Sequence, residues 1–182
     1  MTKTKLYPAL PYIGIPAIGA ALLAFRIGRT EPIIMLRYEM LAIFGYLAAV
    51  QDLKAKKIPN SLILAMLAAW AMISMPQLFV DTSTAIMLLA DSALGFAIGG
   101  GLFLTVYLIS RKGLGGGDVK FMAAAGLYLG LAGILPAMLT GTISAALAGL
   151  TLVLLKKIGR KDSIPLAPFL YAGTLITVFL LD

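Results

Sequence analysis

Seven apolar runs of roughly twenty residues, joined by short polar loops, leave this chain few folds to choose from. They cover 7–25, 33–52, 61–79, 92–110, 118–135, 137–155 and 164–181. A helix rises 1.5 Å per residue, so about 20 residues cross the hydrocarbon core of a bilayer. Backbone groups in lipid have no water to bond, and helices satisfy them internally. The expected fold is therefore all-α: a polytopic membrane bundle of six to seven transmembrane helices, forming one domain over 1–182. Hydrophobic residues make up 60% of the 182, above the roughly one half of a soluble domain. No polar stretch is long enough for a separate soluble domain. Pro8, Pro11 and Pro16 can kink the first run. Arg37 and Glu39 intrude on the second, so that helix is expected to begin closer to Tyr38. Lys3 and Lys5 precede the first run in the manner of a signal peptide. No distinct cleavage site follows, and the run is expected to be retained.

Charge then orients the spans. Lys54, Lys56 and Lys57 follow the second run, Arg111, Lys112 and Lys120 flank the fifth, and Lys156, Lys157, Arg160 and Lys161 separate the last two. The opposite loops carry Arg26, Arg29, Glu31, Asp81 and Asp91. The positive-inside rule places the lysine-rich loops in the cytoplasm and the C-terminus outside, in the cell membrane. The net charge of +7 is explained by topology and by contact with anionic lipid. Basic and aromatic residues do not interleave, so no nucleic acid partner is expected.

The chain has no cysteine and no histidine. That removes disulfides, thiolate nucleophiles, Ser-His and Cys-His catalysis and histidine zinc sites. The acid–base chemistry left belongs to carboxylates, lysines and tyrosines. Two aspartates stand out. Asp52 closes a helix beside Lys54, Lys56 and Lys57, where the helix dipole disfavours a negative charge. A capping role does not explain it; an interfacial pair with a lysine one turn on, Lys56, would. Asp118 follows Gly115-Gly116-Gly117 and opens a helix, where an N-cap accounts for it equally well. Those glycines also admit unusual backbone angles and close approach of another segment. A phosphate cradle finds no support, because no Gly-Lys-Ser/Thr follows.

Both aspartates fall at the same depth on the lysine-rich side. Carboxylates at the edge of hydrocarbon are costly and commonly functional. If they meet, they cannot both ionise easily and share a proton. One can then deprotonate a water while the other polarises a carbonyl. Such chemistry needs no metal or organic cofactor.

Two further segments border this side. Ile58-Pro59-Asn60-Ser61 reads as a proline-limited turn with Asn60 or Ser61 as the next N-cap. Ile164-Pro165-Leu166-Ala167-Pro168-Phe169 reads as a turn before the last helix, placed to cover the aspartates. Elsewhere Gly95, Gly99, Gly100 and Gly101, the Gly126/Gly130 pair and the Gly141/Ala145/Gly149 series suit close helix packing.

Taken in order, Asp52 with Lys57-Ile58-Pro59-Asn60, Gly115-x-Gly117-Asp118-Val119-Lys120 and Ile164-Pro165-x-x-Pro168-Phe169 resemble the type IV prepilin peptidases, intramembrane aspartic proteases of the Gly-x-Gly-Asp class. The resemblance covers about 40–182 and leaves residues 1–32 as an extra span. It implies that Asp52 and Asp118 form the catalytic pair. It makes Gly115, Gly116, Gly117, Lys120, Pro59, Asn60, Pro165 and Pro168 candidates for substrate binding or loop shaping. The implied partner is a prepilin or pilin-like membrane protein, whose basic leader is cut after a glycine on the cytoplasmic side. The basic loops are then poor candidates for leader binding. Larger members carry paired Cys-x-x-Cys motifs and also N-methylate the product. This cysteine-free sequence resembles the short, peptidase-only form of tight-adherence pili and preflagellin peptidases, and no methyl transfer is expected.

Presenilin-like proteases share Gly-x-Gly-Asp but place Pro-Ala-Leu after both aspartates; here Pro8-Ala9-Leu10 precedes them. A transporter or assembly scaffold would carry charge near midplane, and the runs there are nearly bare. Oligomeric state is not legible.

Overall fold

The computed structural model describes residues 14–26, 31–110, 113–157, 159 and 164–180. Arg29, Arg111, Lys112, Arg160, Lys161 and most of the first run before Gly14 lie outside these residues. The described residues form helices and connecting turns: α1 (Gly14–Arg26), α2 (Pro32–Ala55), α3 (Asn60–Ser74), α4 (Gln77–Val80), α5 (Thr82–Ile109), α6 (Gly116–Leu154) and α7 (Ala167–Leu180). Four stretches are long and apolar enough to cross a membrane: α2, α3 with α4, α5 and α6. α7 is a shorter apolar helix. The chain is a multi-pass membrane protein built as an all-α bundle.

Several boundaries differ from the sequence reading. α2 begins at Pro32, not near Tyr38. Proline suits the first helical position because its missing N–H has no intrahelical use there. Arg37 does not delay the helix because its charge is buried and bonded. Its Nη2 donates to Ser92 Oγ at 2.6 Å and to the Leu127 carbonyl. α5 starts ten residues before the expected 92, at Thr82. Asp81 caps it, accepting from Thr84 N at 3.2 Å and Thr84 Oγ1 at 2.6 Å. The hydrogen bonds from Thr84 and then Ser83 hold the Asp81 carboxyl below its ordinary range. Asp91 therefore lies inside α5 rather than in a loop.

The expected break near Pro136 falls instead at Gly130, whose φ of 66° and ψ of −173° are not helical. This backbone region is open essentially only to glycine. Across it α6 folds back as a hairpin. A Cβ on Gly99 would meet both the Met122 carbonyl and, at 3.0 Å, the Ile134 side chain. A straight helix would separate residues 122 and 134 by about 18 Å. Asp91 Oδ1 accepts the Leu131 N–H at 3.0 Å and so caps the second arm. The 39-residue α6 thus supplies two of the expected spans. The tip of the hairpin lies at the bundle end that carries Glu31 and Asp81.

The first arm of α6 is the axis of the bundle: every residue from Phe121 to Gly130 is buried. Lipid tails are as apolar as leucine, so close packing rather than water exclusion drives helix association here. Small residues make that packing possible. Gly95 lies against the Gly126 backbone and Gly99 against Met122, while Gly173 of α7 meets Ala137 and Gly141 of the second arm. Tyr128 fastens the axis to α3 by donating to the Met66 carbonyl at 2.5 Å. This central arm carries Asp118 on its first turn.

Candidate active site

Asp52 and Asp118 reach one place from opposite helix ends. α2 runs into it and stops when Lys56 enters the left-handed region (φ 51°, ψ 37°) and returns its N–H to the Asp52 carbonyl at 2.7 Å. α6 leaves from it. Gly115 takes the N-cap position and Asp118 the third helical one, which corrects the N-cap reading of Asp118; its N–H donates to the Gly115 carbonyl at 3.1 Å.

The carboxylates line a common cavity of about 190 Å³, together with Lys56, Lys57, Ile58, Gly115, Gly116 and Gly117. That volume holds several water molecules. Asp52 is 6% and Asp118 9% exposed, and their charges bear on one another. Asp52 Oδ2 accepts the Ala167 N–H of α7 at 2.9 Å in a buried contact. The start of α7 thus reaches Asp52.

The glycines act through space rather than through backbone freedom. Gly115 has an ordinary extended backbone (φ −78°, ψ 137°), and Gly130 is the glycine with positive φ among the described residues. A Cβ on Gly115 would come 2.8 Å from Asp118 Oδ2, and one on Gly117 would come 3.2 Å from Ile58 Cβ. Gly116 faces open space. Two of the three glycines thus let the α2–α3 turn and the Asp118 carboxyl crowd the same point.

The other candidates stand around the cavity without lining it. Pro59 itself is the N-cap residue of α3 (φ −69°, ψ 140°), and Asn60 is its first helical residue; this corrects the expectation of an Asn60 or Ser61 cap. The Asn60 side chain is free for another use: its Oδ1 accepts from Lys120 Nζ at 2.9 Å, tying the starts of α3 and α6 together. Pro165 lies in the non-helical lead-in to α7, and Pro168 occupies its first turn. Ile58 and the Ala167 N–H were not singled out from sequence as parts of the site. Ile58 stood inside a motif already noted. A backbone donor leaves no trace in side-chain patterns. Lys56 had been offered as an ion-pair partner of Asp52 and Lys57 as part of the motif with Pro59 and Asn60, neither as a wall of the cavity.

This constellation can hold a water beside one carboxylate and a carbonyl beside the other, which is the minimum for carboxylate-catalysed hydrolysis. The profile of the type IV leader peptidase family matches residues 40–154, which include both aspartates and exclude the Pro165–Phe169 segment. Three similar proteins are each named prepilin leader peptidase/N-methyltransferase. That of Xanthomonas campestris pv. campestris is 31% identical over 133 residues, 70% of this chain and 44% of that protein. That of Bacillus subtilis strain 168 is 33% identical over 134 residues, 71% and 50% respectively. That of Legionella pneumophila is 31% identical over 148 residues, 80% and 50%. The chain spans about half the length of the curated relatives it matches. No solved structure matches it significantly. With more than half of its length under that profile, and paired aspartates on a shared cavity within the matched stretch, this chain belongs to the type IV leader peptidase family.

Proposed function

We propose that the chain is a membrane-embedded aspartic endopeptidase that removes the basic leader of pilin-like precursors. The observation that carries this reading is the convergence of Asp52 and Asp118, from two distant helix ends, on one cavity. One carboxylate takes a proton from a cavity water, whose oxygen attacks the scissile carbonyl carbon. The other, holding a proton, donates a hydrogen bond to the carbonyl oxygen as charge develops there. Collapse of the tetrahedral adduct breaks the C–N bond, and the amine leaves with a proton from the pair.

The substrate class follows from the family and from the cavity's place at a helix end, level with the boundary between a basic leader and an apolar helix. Lys54, Lys56, Lys57, Lys120, Lys156 and Lys157 all belong to this end of the bundle, which supports a cytoplasmic active site by the positive-inside rule. A proton-carrying transporter is disfavoured by the placement of buried charge. Arg37 and Asp52 lie near opposite ends of α2, about 22 Å apart along its axis, with no charged residue of α2 but Glu39 between them.

The test is cleavage of a pilin precursor in membranes by the full chain and by Asp52→Asn and Asp118→Asn, read by mass spectrometry. The expected result is cleavage after glycine by the unaltered chain alone, without an added methyl group. Full activity in either variant would remove the pair from the mechanism.

A further inference from the structure

Lys56 and Lys57 line the catalytic cavity beside Asp52 and Asp118. The turn between α2 and α3 puts them there. Lys56 ends α2 in the left-handed region. Ile58, 8% exposed, packs against the loop before α6, where a Cβ on Gly117 would come 3.2 Å from its own. The backbone of Lys57 is held between these two fixed points. Its side chain is exposed and has no ion-pair partner among the described residues. Gly116, on the same cavity's wall, faces open space and leaves room for another chain.

Hydrolysis by paired carboxylates needs no ammonium, and a basic leader is repelled by one. The product is different. Water adds its oxygen to the scissile carbonyl carbon, the C–N bond breaks, and the nitrogen leaves as an amine that takes up a proton. In sum, a neutral peptide bond and one water become a carboxylate on the leader and an ammonium on the apolar chain. The carboxylate forms at the reacting carbon, in a cavity that two carboxylates already line. Like charges so placed disfavour one another's ionised form. The wall offers lysine ammonium groups as charges of the opposite sign. A lysine suits this task, because a flexible stem and three rotatable donors let Nζ follow the anion.

We propose that Lys57 binds the new C-terminal carboxylate of the cleaved leader. The proposal rests on the reading of this cavity as the site of leader cleavage. Lys57 Nζ donates to the carboxylate once the C–N bond has broken and draws it off the aspartates, which are left free for the next water. The uncleaved precursor is neutral at the same atoms and gains nothing from Lys57, so the pairing favours the product alone. Lys57 is thereby a product-binding residue, distinct from the carboxylates that carry out the reaction.

The test is binding of a fluorescent leader peptide to the full chain in detergent, read by anisotropy, with cleavage of the intact precursor followed in the same preparation. The peptide ends at the cleavage-site glycine, either as the free carboxylate or as the C-terminal amide. The unaltered chain is expected to bind the carboxylate form about tenfold more tightly, of the order of a hydrogen bond between charged groups. Lys57→Met should abolish that preference by weakening the carboxylate form alone, and Lys57→Arg should keep it. Lys157→Met removes the same charge from an exposed position at the same end of the bundle and should leave the preference unchanged. Equal binding of the two peptides by the unaltered chain, or a tenfold preference that survives Lys57→Met, would overturn the proposal. The first comparison needs no variant, so it is decisive even should Lys57→Met fail to fold. Failure to cleave the precursor would count against the leader-cleavage reading itself, and is scored separately from peptide binding.

Discussion

The two ends of the bundle both bury charge, but they commit it differently. At the hairpin end, Arg37 is bonded to Ser92 and to the Leu127 carbonyl, and Asp91 is bonded to the Leu131 N–H. These groups hold backbone that a glycine turn would otherwise leave open. At the lysine-rich end, Asp52 and Asp118 face a cavity with room for several waters, lined also by Lys56 and Lys57. Burial alone therefore does not mark chemistry. Buried Arg37 is committed to Ser92 and the Leu127 carbonyl and exposed Asp91 to the hairpin turn, whereas the two buried carboxylates face a common cavity.

That contrast can be broken by substitution, and the largest effect belongs to the aspartates. Asp118→Asn or Asp52→Asn should lower precursor cleavage by about 10³-fold, within the usual range for a general acid or base, with helical content by circular dichroism unchanged. Comparable loss from Asp91→Asn in a fully folded protein would erase the distinction between the ends.

Next comes Gly130→Ala. The new Cβ would overlap Asp91 Oδ2 and hold alanine in a glycine-only conformation, which should destabilise the protein by about 3 kcal/mol. Thermal unfolding in detergent measures this. An unshifted midpoint would show that the turn is not as tight as described.

A smaller effect tests the contact between α7 and the active site. Ala167→Pro keeps a residue favoured at a helix start while removing the N–H that Asp52 accepts. Activity should fall about tenfold, roughly the worth of a hydrogen bond to a charged group. Ala167→Gly, which keeps the N–H, should stay within about twofold of the unaltered chain. Equal activity of the two variants would leave Asp52 positioned by other means.

The smallest effect is expected at Lys120. Its exposed bond to Asn60 is worth about 1 kcal/mol or less. Lys120→Met should reduce cleavage no more than about fivefold, and adding Asn60→Ala should cost little more if the two act as one tie. Loss as deep as that of an aspartate variant would make Lys120 part of the substrate site.

Much of this was legible in the chain itself. Apolar run length required helices because lipid offers the backbone no alternative partner, and Asp52 stood out because a helix C-terminus disfavours its charge. The misreadings share a cause. Arg37 looked like an intrusion and Pro136 like a break, because their sequence neighbours gave no reason to expect otherwise. Arg37 is accommodated by Ser92 and Leu127, far away in the chain. Gly130 turns where it does because Asp91 of another helix caps the far side. The Gly115–Gly117 run was recognised as special, yet the reason is proximity to Asp118 and Ile58 rather than torsional freedom.

The sequence by itself determined a membrane helix bundle, its lysine-rich end and the two carboxylates at matched depth. All three follow from properties carried by single segments: apolar length, local charge and position along a helix. Only the tertiary structure decided that α6 folds back at Gly130, that its first arm becomes the buried axis, and that Ala167 presents an N–H to Asp52. Those outcomes depend on which small residues let which backbones touch, and a close approach between helices is a property of pairs of segments that no single one encodes.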